Sequence, residues 1–356
     1  MQRFDVAVVG GGPAGSACAI KCAEMGFKTA LLEKLTGNSS KACGGVTPTV
    51  TGHLLEVGLG LSMPKSVLSV PERLGLFYVP PSGKGNGGLM RNYELLNLRR
   101  VAFDEWLRNE TKARSVHLLY GSEFIGIKLG KQNALKARVG GNLETIESTY
   151  VVGADGASSR VRSCLFPGQR FRTLSVVQEF WHAESDLGDN FYVILNSRIV
   201  PTYGYVIPKD GGFLVGFGFE RGTVNPLSCM DGLLRLLREE FSFRPVSMVR
   251  REVAAIPFAI PPAGLGSVVL VGDAGGFCNP FSGEGIRFAI ESGLAAAESI
   301  KTSEEEGSGL LPVYGSRVDG LRDFLLRMHA FVRNLDDGKR EGFVKEELTR
   351  VNVFGL

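Results

Sequence analysis

A glycine fingerprint, Gly10-Gly11-Gly12-Pro13-Ala14-Gly15, follows directly on the apolar run Val6-Ala7-Val8-Val9 and constrains the fold more than any other stretch of the chain. The apolar run reads as a buried parallel strand. Gly10 permits a tight turn, Gly12 lets a backbone approach phosphates, and Gly15 lets the following helix pack closely on the strand. Pro13 suits the first turn of that helix, where its missing N–H has no partner to lose. The helix, from Ser16 on to Met25, aims its N-terminal N–H groups and positive dipole end at an anion. A second strand, Thr29-Ala30-Leu31-Leu32, ends at Glu33, about 20 residues beyond the glycines, where a carboxylate accepts ribose hydroxyls and repels a 2′-phosphate. Strand, glycines, helix, strand and carboxylate in that order predict a Rossmann-type unit holding the pyrophosphate of a dinucleotide. The fingerprint alone does not separate NAD from FAD.

At 356 residues the chain exceeds what one core usually organises, so two units are expected. With 44% apolar and 22% charged residues it can bury a large core, which excludes a disordered chain. A net charge of +3 is too small to point to nucleic acid, although a mildly basic surface suits anionic ligands or membranes. No run reaches about 18 apolar residues, which argues against a transmembrane helix. The N-terminus enters a strand at once, without the basic and apolar regions of a signal peptide. The expectation is a cytoplasmic protein, with peripheral contact to a membrane surface left open. The six cysteines form no CxxC pair, and His53, His117, His182 and His329 show no ligand spacing, so neither a disulfide framework nor a metal is expected.

Further along, residues 36–51 read as a polar, glycine-rich loop containing Cys43-Gly44-Gly45. Residues 73–97 carry short apolar runs around the flexible Pro80-Pro81-Ser82-Gly83 segment. Residues 99–112 have helical periodicity, with Phe103, Trp106 and Leu107 on one face. Segments near 117–128, 134–139 and 143–152 suggest an antiparallel meander. Residues 175–181, 191–195, 203–207 and 213–219 fit strands of an antiparallel sheet, covered by a helix over 226–241 whose core face carries Leu233, Leu234, Leu236 and Leu237. Val268-Val269-Leu270-Val271 reads as a parallel strand returning to the first unit. A helix then spans 286–300, Glu304-Glu305-Glu306 reads as a solvated loop, and two amphipathic helices fall near 319–333 and 339–351. The fold class is therefore α/β, α+β overall: a Rossmann-type domain with a β-meander plus an antiparallel-sheet substrate domain. The expected division is a discontinuous cofactor domain at 1–72, 98–165 and 265–303, a substrate domain at 73–97 and 166–264, and a C-terminal helical segment at 304–356.

Two more segments bear on the cofactor. In Val151-Val152-Gly153-Ala154-Asp155-Gly156, a strand runs into a turn that Asp155 can cap, with Arg160 offering a cation. In Val269-Leu270-Val271-Gly272-Asp273-Ala274-Gly275-Gly276, a strand ends at a carboxylate, and the turn Ser282-Gly283-Glu284-Gly285-Ile286 opens the next helix. With the N-terminal fingerprint, these resemble the three marks of the flavoprotein family that contains aromatic hydroxylases, flavin halogenases and geranylgeranyl reductases, over most of residues 1–300. The resemblance implies FAD as cofactor, held by Gly10, Gly12, Pro13, Ala14, Gly15, Glu33, Lys34, Arg100, Asp155 and Gly272. By the same resemblance Asp273 bonds the ribityl chain, and Gly283, Gly285 and Ile286 face the flavin's N1 and O2. A helix start there has a physical use, because reduced flavin carries negative charge that a positive dipole end stabilises. Arg100 has a plainer reading as a surface cation paired with Asp104 four residues on.

Within that family the chain is similar to geranylgeranyl reductases in Lys41-Ala42-Cys43-Gly44-Gly45-Val46, which matches a Cys-Gly-Gly loop beside the isoalloxazine, and in Tyr203-Gly204-Tyr205-Val206-Ile207-Pro208. The second stretch departs from the family's Tyr-x-Trp-x-Phe-Pro, with Tyr205 for Trp and Ile207 for Phe, and is also similar to the Trp-x-Trp-x-Ile-Pro mark of halogenases. The resemblance implies hydride transfer from reduced FAD to an isolated alkene of a prenyl lipid or related hydrophobic substrate, with NAD(P)H or ferredoxin as electron donor. Cys43, Gly44, Gly45 and Val46 then lie by the flavin, and Cys43 and Tyr203 are the candidate proton donors. Phe213, Leu214, Phe217, Phe219, Phe258 and Phe281 are candidates for an apolar channel, although aromatic residues on strands serve as core at least as readily. A flavin monooxygenase or halogenase acting on an aromatic substrate is the rival reading, and a non-catalytic flavin-binding protein a third.

Overall fold

The structure, a computed structural model, describes residues 2–36 and 41–349. The first strand, β1 (Gln2–Val9), turns through Gly10 into helix α1 (Pro13–Glu24) and returns as β2 (Thr29–Glu33). A short strand, β3 (Val46–Pro48), leads to α2 (Val50–Leu59), and a long hairpin follows, β4 (Leu68–Val79) and β5 (Gly88–Leu98). Helix α3 (Arg100–Ala113) precedes four strands, β6 (His117–Tyr120), β7 (Ser122–Lys128), β8 (Asn133–Val139) and β9 (Asn142–Gly153), and then α4 (Arg160–Leu165). Next come β10 (Thr173–Glu184), β11 (Asn190–Ile194), β12 (Gly204–Lys209), β13 (Gly212–Phe219), α5 (Pro226–Phe241) and β14 (Arg244–Pro257). The short β15 (Gly264–Leu265) and β16 (Val268–Leu270) precede α6 (Ile286–Glu306), α7 (Leu310–Arg333) and α8 (Asp337–Thr349).

The strands form two sheets. The first runs β15-β16-β9-β1-β2-β6, with β7 and β8 attached to β9. Its centre is parallel: Val8 lies opposite Leu31 of β2 and Val152 of β9. Both faces are covered, as a parallel sheet requires. Val6 and Val8 pack with Phe277, Phe288 and Tyr314 under α1, α6 and α7, while Ala7 and Val9 pack with Phe124, Leu135 and Val161 on the side of the meander and α4. The second sheet runs β14-β10-β13-β12-β11-β4-β5-β3, and α5 covers one of its faces with Leu233 and Leu237.

The α/β class with a parallel cofactor unit and a second sheet is the architecture expected from the sequence, with several local departures. Residues 117–128 are not one strand: Gly121, at φ +64°, breaks them, so β6 joins β2 in parallel and only β7 enters the meander. In the second sheet β11 pairs with β4 in parallel, because the chain crosses from the hairpin to the later strands. Val46 to Pro48 leave the expected loop to pair with β5, and α2 starts at Val50. Glu304 to Glu306 are the last turn of α6, carried by the helix until Gly307 ends it at φ +63°. Residues 37–40 of the expected loop and 350–351 of the last expected helix lie outside the described residues. Among the described residues no helix is long and apolar enough to cross a membrane.

Candidate active site

One cavity of about 1180 Å³ opens between the two sheets and is closed on a further side by α7 and α8. That exceeds the roughly 300–1,000 Å³ of usual ligand sites, leaving room for a dinucleotide and a second molecule. Its first half is made of turns. Gly10 sits at φ +105°, where a side chain would strike the Ala154 carbonyl. A Cβ on Gly15 would lie 1.8 Å from the Gly10 oxygen, so α1 packs at this depth only with glycine there. Gly12, by contrast, has open space where its Cβ would point. Glu33 is 6% exposed and accepts from the Gly11 N–H at 2.7 Å and the Leu35 N–H at 2.9 Å, which fixes its carboxylate on the cavity wall.

Two other turns meet this one. Asp155 accepts from Ser159 Oγ and from the N–H groups of Arg160, at 2.7 Å, and Val161, at 3.0 Å, and so caps α4. Burial pushes its pKa up, outweighing those hydrogen bonds. Arg162, 6% exposed, donates to Ala157 O and Ala274 O and staples the Asp155 turn to the Asp273 turn. Asp273 holds Lys41 Nζ at 2.6 Å. The start of α6 at Gly285 has no side-chain cap, nor has the start of α1 at Gly12, and both open on the cavity. Uncapped helix starts present unpaired N–H groups and positive dipole ends to whatever lies between them.

Arg100 lies on the wall in a two-pronged pair with Asp104, at 3.1 and 3.0 Å, so the pair is formed but buried rather than on the surface. Burial opposes its charge, yet Asp104 and the adjacent Cys43 thiol outweigh that and raise its pKa above the ordinary guanidinium value. About two turns further along α3, Arg108 is 2% exposed; its Nη1 reaches Gly11 O at 3.4 Å and its buried Nε has no partner. An orphaned guanidinium N–H beside the first glycine turn, two uncapped helix starts and the open space at Gly12 fit the pyrophosphate and ribose of FAD.

The other half is mostly apolar, with Gln178, Thr202 and Glu347 among its polar wall residues. Leu76, Met90 and Leu95 of the hairpin, Ile256 of β14, Phe281, and Phe331 and Phe343 from the C-terminal helices line it. Phe281, Phe331 and Phe343 meet one another at centroid distances of 5.0 to 5.9 Å. At the junction of the halves lie Cys43, whose sulfur accepts from the Gly45 N–H at 3.3 Å, and Tyr203, whose hydroxyl donates to the Ser282 carbonyl. Burial drives the pKa of Tyr203 up, so it stays protonated at neutral pH.

The structure thus brings Gly10, Gly12, Pro13, Ala14, Glu33, Lys34, Cys43, Gly44, Gly45, Val46, Arg100, Asp155, Tyr203, Gly272, Asp273, Gly283, Gly285 and Ile286 to one cavity. Gly15 is off its wall and serves the packing of α1. Of the six expected channel residues only Phe281 lines it. Phe213, Phe217 and Phe219 point the other way, into the core under α5, Leu214 is buried, and Phe258 meets His329 edge-to-face. Alternation along β13 sets this, and it is Gly218 on the opposite face that reaches the cavity. Arg108 and the C-terminal helices were not expected here. The signal for Arg108 is its spacing, since Arg100, Asp104 and Arg108 form an i, i+4, i+8 stripe.

The sequence profile of the FAD binding domain family matches residues 3–317. A curated relative, protein CbrA of Escherichia coli O9:H4 (strain HS), is 32% identical over 327 residues, covering 86% of this chain and 84% of the relative. Among solved structures, a geranylgeranyl bacteriochlorophyll reductase-like protein from Thermoplasma acidophilum superposes with a TM-score of 0.83 at 22% identity, covering 99% of this chain and 93% of the other. The myxobacterial chondrochloren halogenase CndH superposes with a TM-score of 0.75 at 19% identity, covering 99% and 91%. At these identities the solved structures share the fold alone.

Proposed function

The chain belongs to the FAD binding domain family and is a flavoprotein of the oxidoreductase and monooxygenase type, and from that premise we propose that it reduces isolated C=C bonds of a prenyl lipid or a related apolar substrate. The observation that carries this reading is the apolar chamber of Leu76, Met90, Leu95, Phe281 and Phe343, continuous with the cofactor half and with the Cys43 thiol and Tyr203 hydroxyl at the junction.

Gly10, Gly12, Glu33, Arg108 and the start of α1 would hold the adenosine and pyrophosphate, and Asp273, Arg100 and the Cys43-Gly44-Gly45 loop the flavin end. Reduced FAD, when bound, supplies a hydride. The N–H groups at the start of α6 would stabilise the negative charge that the reduced cofactor carries. An unactivated alkene gives no enolate to stabilise, so what the chain must supply is exclusion of water and close positioning, which the aromatic cluster of Phe281, Phe331 and Phe343 does. Cys43 Sγ–H and Tyr203 Oη–H hold protons for the second alkene carbon.

Turnover without oxygen tests this. The FAD-loaded, chemically reduced protein is expected to add two hydrogens to a geranylgeranyl chain under strict anaerobiosis, read by product mass. A product carrying oxygen or halogen, formed only in air, contradicts the proposal and favours a monooxygenase or halogenase. The electron donor, NAD(P)H or ferredoxin, is read from which of them bleaches the flavin.

A further inference from the structure

Lys209, the last residue of β12, is a buried cation that the site chemistry above does not use. It is 8% exposed, and its Nζ donates to Ser69 Oγ at 3.1 Å, Asn97 Oδ1 at 2.7 Å and Leu98 O at 2.7 Å, all neutral acceptors. Asn97 is locked in that orientation because its amide nitrogen donates to Pro71 O and Pro208 O. The adjacent Asp210 is turned away, paired with Arg99 at 2.7 Å and accepting from the Val70 N–H. Among the described residues no carboxylate lies within ion-pair distance of this ammonium. Burying an uncompensated cation is costly, and the cost shows in a lysine pKa pulled down to about 8, with burial as the main cause.

Its position gives the charge a use. A Cβ on Gly45 would lie 3.2 Å from Lys209 Nζ, so the ammonium sits directly beneath the residue whose N–H donates to Cys43 Sγ. The other groups facing Cys43 are Arg100 from α3, whose charge Asp104 already balances, Lys41, which Asp273 holds, and the neutral Tyr203, Tyr205 and Cys278. Lys209 is therefore the cation near the thiol without an acid of its own.

We propose that Lys209 is a positioning residue for Cys43: held under the Cys43-Gly44-Gly45 loop by Ser69, Asn97 and Leu98, its ammonium stabilises the thiolate that remains when the Cys43 S–H bond breaks and the proton leaves. Its catalytic meaning rests on Cys43 as proton donor under the proposed function. The coupling itself needs no substrate, so the two can fail separately.

The test follows the rate of Cys43 carboxamidomethylation by iodoacetamide in the FAD-loaded protein from pH 6 to 9, with Cys43 and the exposed Cys164 separated by peptide mass. In Lys209→Met the Cys43 rate at pH 7 is expected to fall about tenfold, and in Lys209→Arg to stay near the wild-type value. A Lys209→Met profile that coincides with wild type overturns the proposal, as does an equal loss in Lys209→Arg, which marks a purely structural role. Where Lys209 variants do not fold, the reciprocal measurement replaces them: the lysine Nζ titration, followed by NMR, is expected at lower pH in Cys43→Ser than in wild type. An unmoved titration contradicts the coupling.

Discussion

The two halves of the cavity are built by different devices. The cofactor half is made of turns between strands and helices, and some of its devices act within a few residues of themselves: Gly15 on the Gly10 oxygen, Asp155 on the N–H groups of Arg160 and Val161. The apolar half is made of sheet faces and remote helices, so Leu76, Ile256 and Phe343, nearly 270 positions apart at the extremes, line one wall. Local devices leave local sequence marks; a surface assembled from distant elements does not.

Substitutions separate the halves, and the largest effect is expected at Gly15. A valine there drives side-chain carbon into the Gly10 backbone, which cannot move without shifting β1, so Gly15→Val is expected to yield protein without FAD and with a transition lost or lowered by far more than 10 °C. Flavin content and thermal unfolding read this; a normal FAD complement contradicts the close-packing role.

Phe217→Ala probes the second sheet. This side chain is wholly buried beneath α5, so truncation is expected to cost about 3–5 kcal/mol in chemical denaturation while FAD affinity stays unchanged. A substrate defect with no stability loss would return it to the channel.

The next effect depends on pH. A lysine whose pKa drops on folding lets the unfolded chain hold its proton longer. Below about pH 8 the full penalty of burying the Lys209 charge is therefore present, on the order of 3 kcal/mol, and it is relieved as pH rises towards the ordinary lysine value near 10.4. The difference in unfolding free energy between wild type and Lys209→Met is expected to move in favour of wild type across that window. A flat difference contradicts the burial of a charged lysine.

The smallest effect belongs to the remote wall. Phe343→Ala removes one edge of the aromatic cluster and is expected to raise KM for a prenyl substrate several-fold, leaving FAD affinity as it was. Equal losses of both would merge the two halves into one site.

This contrast also explains what the sequence revealed. The strand, glycine turn and helix from Val6 to Met25 carry their own geometry, as do the Asp155 and Asp273 turns; their resemblance to a flavoprotein family implied FAD, and the structure brings all three to one cavity. Alternation along β13 puts Phe213, Val215, Phe217 and Phe219 on one face but does not say what that face meets, and only α5 packed on it decided that Phe213, Phe217 and Phe219 are core. Gly121, which splits β6 from β7, looked like any glycine inside a strand. Lys209 directly follows the stretch ending at Pro208, but its surroundings come from Ser69, Asn97 and Leu98, more than 100 positions away.

The central claim is that FAD and a lipid chain share this cavity, and mass analysis of what is extracted from the purified, natively folded protein tests it most directly. FAD together with a prenyl or fatty chain is expected. FAD accompanied by an aromatic acid would contradict the lipid reading and turn the apolar half into a hydroxylase or halogenase pocket.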